Sequence, residues 1–382
     1  MPETQTPMGY RPFGREKKLV SQLGFGCMRL PQANGSIDRQ EAARCVHWAI
    51  DHGVNYLDTA YPYHGGDSET FVGEVTQGTI RDKVLIATKL PVWKVQEKAD
   101  IQTIFDEQRS KLHTDFIDVY MLHAVNHGSW TKMRDMGIQQ WLRDQQGSGN
   151  LGDVGFSFHG PLDDFQKIVD EFTEANFCQI QYNIVNEDVQ AGTEGLNYAA
   201  KKGLSLIIME PLLGGSLCVP PPKVKALYEE SGLNPVEEAL RWIWNKPEVS
   251  LLLSGMSTFE QVTQNVELAS SSPAGCLSEM EAGIIQRVQK TYKELKAIPC
   301  TACGYCVPCP QGVKIPQNFG MYNDIEIYGE TRIRPNQNRY AKMADEERAS
   351  SCIACGECEE LCPQDIPISD WMPKVDRRLS GS

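Results

Sequence analysis

Eight of the thirteen cysteines in this 382-residue chain fall in two short runs near its C-terminus. The first is Cys300-x-x-Cys303-x-x-Cys306-x-x-Cys309-Pro310, and the second is Cys352-x-x-Cys355-x-x-Cys358-x-x-x-Cys362-Pro363. Thiolates two residues apart can all turn inward around one cuboidal core, and a proline after the last cysteine carries the chain away from it. The pattern therefore predicts a segment that folds around two [4Fe-4S] clusters. Zinc is the first alternative, but zinc sites pair two CxxC units or mix in histidine, and no histidine follows His159. Disulfides are the second; a CxxCxxC run crowds its thiols, and the polar start of the chain does not read as a secretory leader.

The second run resembles the bacterial ferredoxin spacing in full, and the first falls one residue short in its last gap. In two-cluster ferredoxins the fourth cysteine of each run ligates the other run's cluster. The resemblance thus implies one centre held by Cys300, Cys303, Cys306 and Cys362, and another held by Cys352, Cys355, Cys358 and Cys309. The remaining cysteines, Cys27, Cys45, Cys178, Cys218 and Cys276, have no ligand spacing and read as small apolar residues.

The length suits one barrel-sized domain plus a small module. No apolar run approaches the length of a membrane span, and oxygen-sensitive clusters fit a reducing cytoplasm. A net charge of −13 disfavours nucleic acid and anionic membrane surfaces as partners. Short apolar runs alternate with amphipathic stretches along the first part of the chain. They predict strands at Leu23–Met28, Asn55–Leu57, Val84–Thr88, Phe116–Leu122, Asp153–Phe156, Cys178–Gln181, Leu204–Met209 and Ser250–Leu253. Helices are expected at Arg39–Asp51, Ala99–Lys111, Leu162–Phe172, Val236–Asn245 and Thr258–Leu268, with start signals at Asp38 and Pro235. Eight βα units over about 250 residues read as a parallel (β/α)8 TIM barrel, and no GxGxxG follows the first strand to suggest a Rossmann domain. A hairpin over Tyr10–Gln22 precedes the barrel. The expected division is 1–275 for hairpin and barrel, 276–296 for a connecting helix, and 297–382 for a ferredoxin-like dicluster domain.

Active sites of such barrels collect at the C-terminal ends of the strands. Asp58 follows the second strand, Lys89 ends the third and His123 ends the fourth, while Tyr63 lies five residues beyond Asp58. Each alone is weak, because a strand-end aspartate or histidine is often structural. An acid, a phenol, an amine and an imidazole at successive strand ends are a catalytic set. His159 and His64 are further residues placed to line the same mouth.

From Gly24-Phe25-Gly26 to Asn265 the chain resembles the aldo-keto reductase family, of the subgroup with a C-terminal 2[4Fe-4S] ferredoxin-type domain. That resemblance implies a catalytic tetrad of Asp58, Tyr63, Lys89 and His123. Hydride would pass from a nicotinamide cofactor to a carbonyl carbon while Tyr63 donates the proton. A phenol with a pKa near 10 needs help at neutral pH. Lys89 would lower that pKa, Asp58 would hold Lys89, and His123 would orient the carbonyl. Ser157 and Gln179 match residues that bond the nicotinamide carboxamide. Met209 and Leu212 fall where many members place a ring against the nicotinamide, and Gly255, Ser257, Gln261 and Asn265 fall in the segment for the adenosine phosphates. Ser254–Asn265 contains no Lys or Arg, so NADH is expected over NADPH, unless Lys223 or Lys225 supplies the cation from another loop.

Two function classes remain open on the sequence. One is an NAD(P)H-dependent reductase of a small carbonyl, or dehydrogenase of the corresponding alcohol, with clusters that are structural or connect to a soluble redox partner, a ferredoxin or a flavoprotein. The other is an electron-transfer protein whose clusters pass single electrons from a ferredoxin-like donor to a ligand in the barrel, since nicotinamide moves electrons in pairs and no flavin fingerprint is present to split them. Glu357, Glu359 and Glu360 in the second cysteine run are either a face for a basic partner or a solvated surface.

Overall fold

The computed structural model describes residues 7–300, 302 and 304–381. The described residues form two compact units. One runs to Gly214 and includes Ala239–Ser278; the other joins Gly215–Glu238 to the chain from Glu279 onward. The C-terminal unit is thus discontinuous in sequence, because it takes in the long segment after the seventh barrel strand.

In the first unit, eight strands close into a barrel: β1 (Leu23–Gly26), β2 (Tyr56–Asp58), β3 (Leu85–Leu90), β4 (Ile117–Val125), β5 (Leu151–Phe158), β6 (Phe177–Gln181), β7 (Ser205–Met209) and β8 (Val249–Ser254). Every neighbouring pair is parallel, and β8 returns to β1 through Leu252 opposite Leu23. All eight expected strands are present, with shifted ends. β1 stops at Gly26 because Cys27–Arg29 turns into a 3-10 helix, and β4 runs on to Val125 through a register shift after Leu122. The first helix spans the expected Arg39–Asp51, with the Asp38 side chain accepting from Glu41 N.

Period-two alternation decides which residues meet inside. The buried interior includes Tyr56, Ala87, Met121, Phe177 and Ile207. Counting two residues on along each strand gives Asp58, Lys89, His123, Gln179 and Met209. The same inward register that fills the core with apolar side chains therefore delivers polar ones to the C-terminal end.

The opposite end is closed by the expected hairpin, whose strands Tyr10–Phe13 and Lys18–Ser21 pair antiparallel. Phe13 is fully buried against Tyr56 and Phe177, with ring centroids 5.8 and 5.3 Å away. At the turn, Gly14 has φ +72° and a Cβ there would meet the Asp153 carboxylate; that carboxylate accepts from Arg15 N at 2.9 Å. Arg11 pins the hairpin from the side. Its guanidinium donates to the carbonyls of Trp244, Lys246 and Val249, and its Nε donates to Gln22 Oε1.

In the C-terminal unit, helix Glu279–Leu295 corresponds to the expected connector, and helix Pro222–Ser231 packs along it with Arg287 3.6 Å from Glu230. Helices Ile315–Tyr328, Glu330–Ala341 and Ile368–Ser380 surround a small core that includes Ile298, Ile315, Phe319, Ile368 and Val375. The Glu359 carboxylate accepts from Ser369 N at 2.7 Å and from Ser369 Oγ at the start of the last helix, so this acid is a latch within the unit. Among the described residues, no helix is long and apolar enough to cross a membrane.

Arg11→Ala would remove the guanidinium that bonds the carbonyls of Trp244, Lys246 and Val249. It is expected to destabilise the barrel by about 3 kcal/mol, measured as a lowered urea midpoint in tryptophan fluorescence under anaerobic conditions, whereas a surface change such as Lys17→Ala should shift it by less than about 0.5 kcal/mol.

Candidate functional site

Asp58, Lys89 and His123 arrive at the barrel mouth on adjacent strands, and Tyr63 reaches it from the turn after β2. Lys89 Nζ donates to Asp58 Oδ1 at 2.6 Å and to Thr59 O at 2.8 Å. Both side chains of this ion pair are almost completely buried, at 1% and 3% exposure, so solvent barely screens it. Lys89 Nζ also lies 5.0 Å from the centre of the Tyr63 ring. The His123 ring stands edge-on to Tyr63, with centroids 6.1 Å apart, and 5.0 Å from the ring of Trp93.

A backbone irregularity follows His123 on β4. The shift in the β4–β5 register falls between Leu122 and Val125, and Ala124 has φ +54°. A bulge of this kind re-aims a side chain, and a left-handed alanine costs of order 1 kcal/mol. Ser157 Oγ accepts from the freed Ala124 N at 2.7 Å and holds the distortion.

The electrostatics assign each group a state. Burial works against the Lys89 ammonium, but Asp58 and Tyr63 outweigh it and its pKa rises, so the amine stays charged. For Tyr63 burial is the larger influence and raises the pKa, with Lys89 pulling the other way. The net direction is opposite to the sequence expectation of a lowered value, because the phenol is more deeply buried than a strand-end turn implies. Tyr63 is therefore held as a neutral phenol, a proton donor rather than a standing phenolate. Burial, and then the charges of Lys89 and His159, push His123 down to about 3, so it is a neutral imidazole.

Orphaned polar atoms mark where a ligand would bond. Asp58 Oδ2, His123 Nδ1 and Gln179 Oε1 are buried without partners. Gln179 Nε2 is directed at Met209 Sδ, 3.5 Å away, which leaves its oxygen to accept from an amide donor. Ser157 spends its lone pair on Ala124 N and keeps its O–H to give. Both therefore fit a carboxamide, and Met209 and Leu212 lie half-buried at the end of β7 and just beyond it. Around the end of β8 the expected contact residues are engaged with the protein. Ser257 Oγ donates to Arg29 O at 2.8 Å, Gln261 Oε1 accepts from Ser257 N at 2.8 Å, and Asn265 Nδ2 donates to Ser254 Oγ at 3.1 Å. Gly255 lies under the Arg29 side chain. His64 Nδ1 meets Gln32 Nε2 at 2.9 Å, and its Nε2 is buried without a partner. Trp93 and Thr59 were not singled out by sequence. Trp93 follows Lys89 by four residues, and an exposed aromatic just past a strand end was the available signal.

The cysteine runs make two cavities in the C-terminal unit. One is lined by Cys300, Cys306 and Cys362; the other by Cys309, Cys352, Cys355 and Cys358. The fourth cysteine of each run lines the other run's cavity, as the crossed partition requires. Cys303 lies outside the described residues. The two runs share local geometry: Ala302 and Ala354 both have left-handed φ, and their N–H groups point at Cys300 Sγ and Cys352 Sγ, each 3.4 Å away. Cysteines set around an apolar-walled cavity fit an iron-sulfur cluster.

Comparison with known proteins agrees with this geometry. The profile of the aldo/keto reductase family matches residues 22–288, and that of a 4Fe-4S dicluster domain matches residues 299–366. The 6-dehydroglucose reductase of Novosphingobium aromaticivorans is 25% identical over 70% of this chain and 92% of its own length. The L-galactose dehydrogenase of Arabidopsis thaliana is 26% identical over 77% of this chain and 95% of its own. Among solved structures, the holo form of an aldo-keto reductase from Bacillus halodurans is similar with a TM-score of 0.62 and 26% identity, covering 74% of this chain and 96% of that one. The barrel that carries the buried Asp58–Lys89 pair is the part matched by the first profile and by these relatives: the chain is an oxidoreductase that belongs to the aldo/keto reductase family, with a 4Fe-4S dicluster domain after the barrel.

Proposed function

We propose that this protein reduces a small polyhydroxylated carbonyl compound with NADH, and oxidises the corresponding alcohol in reverse. The observation that carries the reading is the buried Lys89–Asp58 pair with Tyr63 and His123 beside it. When bound, a reduced nicotinamide supplies a hydride to the carbonyl carbon. Tyr63 donates its phenolic proton to the carbonyl oxygen. Lys89 offsets the charge left on the phenol, Asp58 keeps Lys89 charged and in place, and neutral His123 orients the oxygen with a hydrogen bond. Gln179 and Ser157 would hold the carboxamide through the oxygen and hydroxyl left open to them. A sugar-like substrate is supported by the exposed face of Trp93 beside His123 and by the sugars in the names of the two relatives.

We further infer two [4Fe-4S] clusters with crossed ligation: Cys300, Cys303, Cys306 and Cys362 for one, and Cys309, Cys352, Cys355 and Cys358 for the other. The preference for NADH rests on a β8 segment without cations, since a ribose 2′-phosphate is normally met by charge-assisted bonds.

Tyr63→Phe should lower carbonyl reduction by 10²-fold or more with cluster absorbance unchanged; turnover within about tenfold of wild type would overturn the chemistry. Reduction needs Tyr63 protonated, and its pKa is raised above the ordinary value near 10. Its kcat/KM should therefore stay flat from about pH 6 to 9, with no inflection near 6.5 from His123. An inflection there that disappears in His123→Asn would contradict the neutral imidazole. Direct titration should give NADH a Kd about tenfold or more below that of NADPH, and the reverse order would remove the preference. Finally, Cys309→Ser and Cys352→Ser should leave the same remaining cluster by electron paramagnetic resonance, and Cys306→Ser and Cys362→Ser should leave the other. Pairing of Cys309→Ser with Cys306→Ser would refute the crossed partition.

A further inference from the structure

The inward register that brings Ser157 and Gln179 to the mouth continues for one more step. His159 lies two residues beyond Ser157 and Gln181 two beyond Gln179, both on the inward parity, and because Phe158 pairs with Ile180 they stand side by side. His159 N donates to Val125 O at 3.2 Å, so β4 still holds its backbone past the end of β5. The loop after β6 brings Gln190 back to this layer, where its Nε2 donates to Gln181 Oε1 at 2.7 Å. Gln190 lies against the His159 ring, and its Oε1 is buried with no hydrogen bond closed to it.

The loop that carries Gln190 is firmly tied. Asn183 Oδ1 accepts from Val185 N at 3.1 Å and from Asn186 N at 3.0 Å, while its Nδ2 donates to Glu210 O, 3.1 Å away at the end of β7. Thr193 closes the loop, its N donating to Glu187 O at 2.7 Å and its Oγ1 lying 2.7 Å from the Tyr182 hydroxyl. Gln190 and Glu210 both keep left-handed backbones, with φ +59° and +55°, a strain that persists where the surroundings impose it and that gathers at ligand sites.

The groups of this layer suit a hydroxyl. Burial keeps the His159 ring below its usual pKa although its edge is open to the mouth, so it is a neutral imidazole with one N–H to give and one nitrogen to accept. Gln190 Oε1 needs a donor, and a hydroxyl both donates and accepts. The charge acting on His159 is the Glu210 carboxylate, which disfavours a carboxylate or phosphate on the ligand. His123, on β4, stands between this polar flank on β5 and β6 and the exposed ring of Trp93 beyond β3, 5.0 Å from its own, and His159 is near enough for its charge to act on His123. A carbonyl compound bonded to His123 would thus meet an aromatic face on one side and hydrogen-bonding groups on the other, as the C–H face and the hydroxyl edge of a polyol require.

On the reading that the barrel reduces a polyhydroxylated carbonyl, we infer that His159 and Gln190, braced by Gln181, bind a hydroxyl of an uncharged substrate beside its carbonyl and set the preference for hydroxylated over plain aldehydes. The hydroxyl donates to Gln190 Oε1 and accepts from the His159 N–H.

The test is NADH-dependent reduction, by anaerobically purified full-length protein, of glyceraldehyde and erythrose, each against the aldehyde of equal length without hydroxyls, propanal and butanal. Wild type, His159→Phe, Gln190→Leu and His159→Gln are compared, with cluster absorbance, circular dichroism and the Kd for NADH showing that each variant is intact. Wild type should favour the hydroxylated aldehyde in kcat/KM, and His159→Phe and Gln190→Leu should each lower that ratio about tenfold, for a lost hydrogen bond whose partner is left unpaired. His159→Gln, which keeps a donor, should recover part of the ratio. Ratios within about twofold of wild type in both variants, or a wild type that reduces the plain aldehydes equally well, would overturn the inference while leaving the reductase reading standing. A weakened NADH Kd with the ratios unmoved would overturn it in favour of a part in cofactor binding. Wild-type protein that reduces none of the four aldehydes would remove the reductase reading and this inference together.

Discussion

The ion pair between Lys89 and Asp58 organises the mouth of this barrel. Taking two charges out of water costs several kcal/mol per ion, and the pair survives burial because Lys89 Nζ finds two acceptors, Asp58 Oδ1 and Thr59 O. The register of β2 on β3 sets it up: Asp58 pairs with Ala87, and the next inward position on β3 is Lys89. Removing either partner would strand a charge in the interior at a cost of about 3–5 kcal/mol. Burial first, and then the charge of Lys89, keeps His123 neutral, and the same charge opposes the effect of burial on the Tyr63 phenol.

Much of this was legible in the residues before any coordinates. Eight apolar runs with period-two alternation predict a barrel, and the strand-end positions of Asp58, Lys89 and His123 follow from counting along each run. Strand ends were read less well, for physical reasons. β4 extends past its apolar run because a bulge at Ala124, held by Ser157, keeps the strand paired beyond Leu122, and no local propensity encodes a hydrogen bond to a residue 33 positions away. The same holds for the rise in the Tyr63 pKa, which depends on burial contributed by the whole mouth.

The C-terminal unit was legible because cluster ligation is local. Two CxACGxC runs give the same turn twice, with a left-handed alanine whose N–H faces the first thiol and a left-handed glycine, Gly304 or Gly356, after the next cysteine. The crossing of Cys309 and Cys362 into opposite cavities then follows from the chain path past each turn. What sequence spacing did not disclose is that Glu359, within the second run, latches the final helix through Ser369. Nor did it disclose that Gly215–Glu238, between β7 and its helix, belongs to the same unit as the cysteines. The unit that carries the cysteine runs thus incorporates a segment of sequence that follows the seventh barrel strand.

In the proposed reaction the carbonyl carbon receives a hydride in the barrel and not electrons one at a time through the clusters. Reduction of a sugar-derived carbonyl with NADH deuterated at the transferring C4 position, in ordinary water and without any added one-electron donor, tests this directly by mass spectrometry of the product alcohol. The account predicts one deuterium on the carbinol carbon in each product molecule. A product whose new carbon-bound hydrogen comes from solvent, formed only when the clusters are reduced by an external one-electron donor, would contradict it.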